Sequence, residues 1–141
     1  MLTSKGAAPR SVIFVCIENS SRSVMAEGFA KELGLKASSA GTFPSTRVNA
    51  LVVEAMKEVG IDVSQNRPRE LTGDMIDNAG LVVLTDASLS SAIPGNLRKK
   101  MKKKVIEWSL PDPQGKDKDE IRVIRDRVGR MVTALARGSS G

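Results

Sequence analysis

An α/β domain built on a parallel sheet, with helices on both faces, is the fold class this chain predicts. Three observations carry it. Short, wholly apolar runs at residues 12–15 and 81–84 read as strands buried on both faces. Between them lie longer segments whose apolar residues recur at helical spacing. The two kinds alternate along 141 residues with no internal repeat and no linker.

The elements follow in order. Residues 1–10 are small and polar and are expected to form a flexible N-terminal tail, residues 11–137 a single domain, and residues 138–141 a C-terminal tail. Residues 12–15 form the first strand. A helix is predicted over 22–33, with Met25, Phe29 and Leu33 four residues apart and Gly34 as its stop. Residues 37–40 make a short strand closed by Gly41. The stripe Val48, Leu51, Val52, Ala55, Met56 and Val59 predicts a helix over 47–59, ended by Gly60. Residues 81–84 and the pair Val105-Ile106 are further strands. A last helix, from about 119 to 136, should bury Ile121, Ile124, Val128, Met131 and Leu135.

Composition removes whole classes of chemistry. No apolar run is long enough to span a membrane, and the first residues lack the apolar core of a signal peptide. A single cysteine permits no internal disulfide, so a reducing, cytoplasmic setting is expected. The chain has no histidine, which excludes Ser-His-Asp and Cys-His catalysis and histidine-bound zinc. One thiol cannot build a zinc site either, so no metal is expected. The net charge of +6 comes from the run at 98–104, since the rest of the chain holds 16 basic and 16 acidic residues. That run is expected to be a solvated loop or helix end. Nucleic-acid contact is disfavoured because no aromatic residues are interleaved with the charges.

The one cysteine sits where the chemistry should be. Cys16 ends the first strand, Ile17 to Ser21 form a polar loop, and Arg22 and Ser23 open a helix. A strand, short loop and helix aim successive backbone N–H groups and a helix N-terminus at one spot, which binds an oxyanion. The same dipoles favour a thiolate there, the nucleophilic form of cysteine. Arg22 offers a planar fork to two oxygens of a tetrahedral anion. The plain alternative is a buried strand cysteine followed by a helix-starting arginine. The polar loop, rich in Asn19, Ser20, Ser21 and Ser23, favours the functional reading.

Asp112 is the second candidate. It lies between Pro111 and Pro113 after the last short strand, on the edge where strands of such a sheet end. A carboxyl group there can protonate a leaving oxygen and then serve as base for water. Ordinary turn chemistry accounts for Pro-Asp-Pro almost as well. The missing histidine favours a catalytic carboxyl group, and Asp86 is the next candidate should Asp112 be only a turn residue.

These residues resemble the low-molecular-weight protein tyrosine phosphatase family, and within it the arsenate-reductase-like branch. The likeness rests on residues 16–28, on Ser39-Ala-Gly-Thr42, on Arg47-Val-Asn49 leading into residues 56–64, and on Trp108, Asp112-Pro113 and residues 124–127. The resemblance implies a four-stranded parallel sheet flanked by helices. It implies Cys16 as nucleophile, Arg22 on the equatorial oxygens, Ser23 bonded to the thiolate and Asn19 holding the loop. It also implies backbone donors from Ile17, Glu18, Asn19, Ser20 and Ser21, and Asp112 as general acid.

Three departures bear on function. Glu18 stands where the family usually has glycine, which removes backbone freedom and brings a carboxylate near the anion. Ser21 replaces a second loop cysteine. Residues 84–94 hold no cysteine, so an internal thiol relay is impossible. The leading expectation is therefore reduction of arsenate by Cys16 with an external small thiol or thiol protein and no bound cofactor. The second is hydrolysis of a phosphomonoester through a Cys16 phosphoenzyme, with Trp108 and Phe43 available as aromatic walls in a chain without tyrosine. The third is an anion-binding regulatory module disabled by Glu18.

Overall fold

The computed structural model describes residues 11–138, so the expected tail at 1–10, and all of the expected C-terminal tail except Gly138, lie outside the described residues. Strand β1 (Ser11–Cys16) is followed by helix α1 (Arg22–Glu32), β2 (Lys36–Gly41) and α2 (Ala50–Glu58). Then come α3 (Gly73–Asp77), β3 (Leu81–Leu84), a 3-10 turn (Ala87–Ala92), α4 (Gly95–Met101), β4 (Val105–Glu107) and α5 (Lys118–Ala136). The four strands are all parallel and lie in the order β2-β1-β3-β4. The order reverses between β1 and β3, and ligands of such sheets bind outside the strand ends at that point.

Alternation along β1 splits the core in two. Val12 and Phe14 face a cluster built with α1, α2 and α5, which includes Met25, Val52, Met56, Ile121 and Val128. Ile13 and Val15 face the other side, with Ile76, Leu89, Ile93 and Met101 from α3, the 3-10 turn and α4. Both faces are covered, which is why these strands read as unbroken apolar runs.

Several expected boundaries move, each for a local reason. Helix α2 starts at Ala50 because Asn49 caps it, its side-chain oxygen accepting from the N–H groups of Leu51 at 2.8 Å and Val52 at 3.4 Å. Residues 47–49 are therefore an approach to the helix, although Val48 is buried as its stripe implied. Leu33 and Val59 are exposed C-caps, not core. Helix α5 is started by a capping box between Asp117 and Glu120, and its buried stripe runs Val128, Val132, Leu135, leaving Met131 half-buried. Elements α3, the 3-10 turn and α4 are five to seven residues each, too short to show a period.

The basic run is partly structural. Arg98, Lys99 and Lys100 occupy the last turn of α4, where they complement the helix dipole. The Lys104 ammonium donates to the carbonyls of Ile76 at 2.6 Å and Ala79 at 2.7 Å, closing the end of α3. No helix among the described residues is long and apolar enough to cross a membrane.

Candidate active site

The loop after β1 is held by its own carbonyls. Those of Cys16, Ile17, Glu18 and Ser20 accept from the N–H groups of Thr42, Phe43, Ser45 and Asn49, at 2.8–3.1 Å. In a trans peptide the C=O of one residue and the N–H of the next point opposite ways. With the carbonyls drawn toward residues 42–49, the N–H groups of Ile17, Glu18, Asn19 and Ser21 are turned to the opposite, cysteine side. The Asn19 N–H shows the direction: it donates to Cys16 Sγ at 3.1 Å.

Asn19 carries the backbone strain of this turn. Its φ is 53°, the only positive value at a non-glycine residue among those described, and asparagine tolerates that region better than most residues. Glu18 therefore does not need the conformational freedom of the glycine it replaces. The Asn19 side chain donates to Ser23 Oγ at 2.9 Å and accepts from the Arg69 N–H at 3.0 Å. Ser23 Oγ in turn lies 2.9 Å from Cys16 Sγ. Gly41 completes the fit, since a Cβ there would stand 2.5 Å from the Ile17 carbonyl oxygen.

Arg22 opens α1 with its side chain 5% exposed. A buried guanidinium needs partners for its five donors. Among the described residues only Nη1 finds acceptors, Asp86 Oδ2 at 3.2 Å and the Leu110 carbonyl at 3.1 Å. The Nε and Nη2 donors remain for an oxyanion, and the α1 N-terminus adds its own, since Ser21 makes no side-chain cap.

Asp86 is unsuited to the acid role that made it a second candidate. The Ser88 backbone N–H, supported by the Ser88 side chain and Arg22, holds its carboxyl below the ordinary value despite desolvation. An ionised carboxylate engaged with arginine donates no proton. It orients Arg22 instead. Sequence reading missed this partnership, and the only local signal was an aspartate just past the end of β3.

Asp112 shares one cleft with Cys16. The cleft, about 280 Å³, is lined by Cys16, Glu18, Arg22, Ser45 and residues 47–50 on one side and by Asp112 and Gln114 on the other. Asp112 is exposed and its Oδ1 accepts from the Gln114 N–H at 3.0 Å, so it also closes a turn. The expected aromatic walls are absent. Trp108 is buried in the core, its ring 5.7 Å from that of Phe14, and Phe43 is 79% exposed outside the cleft lining. Among the described residues no group of three or more cysteine, aspartate or glutamate side chains stands close enough to hold a metal ion.

The chain is similar in sequence and fold to known proteins. Residues 11–139 match the family described as low molecular weight phosphotyrosine protein phosphatase. An arsenate reductase of Staphylococcus aureus (strain Newman) is 36% identical over 125 residues, covering 84% of this chain and 90% of its own. The solved structure of an arsenate reductase in the phosphate binding state is 32% identical, with a TM-score of 0.78, covering 90% of this chain and 96% of that one. The tyrosine phosphatase AmsI of Erwinia amylovora superposes with a TM-score of 0.85 over 96% of this chain and 97% of that one. At 19% identity it shows the fold alone.

Proposed function

Since the chain belongs to the low-molecular-weight phosphotyrosine protein phosphatase family, we propose that it is an arsenate reductase of that family which takes its electrons from an external thiol. The observation that carries this reading is the lone cysteine at the floor of an oxyanion cradle, in a chain 36% identical to an arsenate reductase. Arsenate and phosphate are both tetrahedral oxyanions, and the donors described above suit either.

In this mechanism the Cys16 thiolate, aided by Ser23 and the Asn19 N–H, attacks arsenic, and an As–OH bond breaks, the hydroxyl taking a proton from solvent and leaving as water. Arg22 and the loop N–H groups hold the remaining oxygens. A thiolate then attacks Cys16 Sγ. The S–As electron pair stays on arsenic, which leaves as arsenite, and Cys16 is left in a mixed disulfide. A second thiol releases it, so two thiols become one disulfide per arsenate. The electrons come from the co-substrate, with no bound cofactor. Cys16 must be kept reduced, which fits the cytoplasm.

Asp112 favours a second reading, phosphomonoester hydrolysis. Its carboxyl group lines the cleft, where it can protonate an ester oxygen and later activate water against a Cys16 phosphoenzyme. Paired assays on one preparation separate the two: arsenate reduction with small thiols, and hydrolysis of an aryl phosphate. Thiol-dependent arsenite production is the expected outcome. Hydrolysis without arsenate turnover would replace the first reading by the second.

A further inference from the structure

The mouth of the cleft carries two opposite charges that the chemistry above leaves unused. Arg47 is exposed and lines the cleft on the α2 side, while Glu18, half-buried, lines it from the loop. Among the described residues the charged side chain of neither joins an ion pair or a hydrogen bond, although the Arg47 carbonyl accepts from the Ser45 hydroxyl at 3.3 Å. Both share the cleft with Cys16, which is itself buried, 3% exposed. No aromatic residue lines the cleft.

A reductant entering here must be small enough to bring its sulfur to Cys16 Sγ, and it meets a guanidinium and a carboxylate on the way. An uncharged thiol leaves both without a partner. A thiol with only a carboxylate suits Arg47 but opposes Glu18. One carrying both a carboxylate and an ammonium satisfies the pair, with the carboxylate toward Arg47. Arg47 is well placed for this task because it precedes α2 and takes no part in holding the loop, whose bonds come from the backbone of Thr42, Phe43, Ser45 and Asn49.

We infer that Arg47 is the specificity-determining residue for the reductant, and that the thiol co-substrate is a small amino-acid-type thiol whose carboxylate binds it. This rests on the reductase reading. The step served is the attack of that thiolate on Cys16 Sγ in the arsenate adduct, with arsenite leaving and a second equivalent of the thiol completing the disulfide.

The test measures thiol kcat/KM at saturating arsenate with four probes: cysteine, cysteine methyl ester, N-acetylcysteine and 2-mercaptoethanol. Each is run on the wild-type chain, Arg47→Ala and Arg47→Lys. Intrinsic thiol reactivity cancels when a ratio of probes is compared between proteins. The ratio of cysteine to its methyl ester should fall about fivefold in Arg47→Ala and be partly restored in Arg47→Lys, the scale of one partly solvated charge pair. Higher salt should narrow the wild-type ratio. The same ratio in wild type and Arg47→Ala, with turnover intact, would overturn the assignment and leave the reductase reading standing. No turnover with any thiol, while aryl phosphate is hydrolysed, would overturn both.

Discussion

The two walls of the cleft are held in different ways. On one side, residues 42–49 are fastened to the cysteine loop by four backbone hydrogen bonds, and Gly41 lets the chains meet at a distance that no side chain permits. On the other, residues 110–114 reach the loop through the bond from Arg22 to the Leu110 carbonyl, and Asp112 stands exposed at the end of a proline-bounded turn. The fixed wall sets the anion cradle before any ligand arrives, which is what electrostatic preorganisation requires. The other wall carries Asp112, the carboxyl group proposed to handle a proton. On the proposed roles, binding and proton transfer fall to separate segments, and they should fail separately.

Asp112→Asn should produce the largest split. The amide still accepts the Gln114 N–H, so the turn survives while the acid is lost. Hydrolysis of an aryl phosphate with a poor leaving group should slow by roughly 10²–10⁴-fold. Arsenate turnover should suffer less, because its leaving oxygen departs as water. Both rates measured on one purified variant decide the matter, and equal losses would remove the distinction between the walls.

Gly41→Ala attacks the fixed wall. Its Cβ would meet the Ile17 carbonyl oxygen and the Asn19 nitrogen, which are backbone atoms and cannot step aside cheaply. A loss of about 1–3 kcal/mol in unfolding free energy is expected. Protection of Cys16 from alkylation by phosphate should weaken as well. Unchanged phosphate protection would show that the cradle does not depend on this contact.

Asp86→Asn joins the walls, because Asp86 and the Leu110 carbonyl share Arg22 Nη1. The neutral amide should weaken phosphate affinity by about tenfold through a misdirected guanidinium. The wild-type carboxyl, held below its ordinary value, should leave phosphate affinity without a Asp86-linked step in the usual carboxylate range. Phosphate affinity measured against pH tests both points.

The smallest effect lies behind the fixed wall. Helix α2, which follows that wall, is tied to α5 by Glu58, whose carboxylate takes Arg122 at 2.6 and 3.0 Å and Arg125 at 2.8 Å. Arg122 foremost, then Arg125 and Lys118, lower its pKa from 4.5 to about 2 against some desolvation. A carboxyl depressed in the folded state stabilises fully above its unfolded pKa, and that contribution is lost as pH falls from about 4.5 to about 2. Glu58→Gln should therefore flatten the acid side of the stability profile within that window and leave catalysis at neutral pH alone. Thermal midpoints of both proteins across the window check it.

What the sequence determined was local. Cys16, the polar loop and Arg22 occupy one unbroken stretch, so strand, turn and helix geometry alone bring nucleophile and guanidinium to one spot. The apolar runs and helical stripes likewise specified a parallel sheet covered on both faces, because period and burial are written in neighbouring residues. The tertiary structure decided the rest. Asp86 and Leu110 reach Arg22 from 64 and 88 residues away, and the direction of each loop N–H is set by carbonyl partners at 42–49. Trp108 packs inward against Phe14 of β1, a partner far from it in the chain. Strand order β2-β1-β3-β4 fixes which loops meet above Cys16, and hydrophobic periodicity, which repeats over a few residues, carries no information about that order.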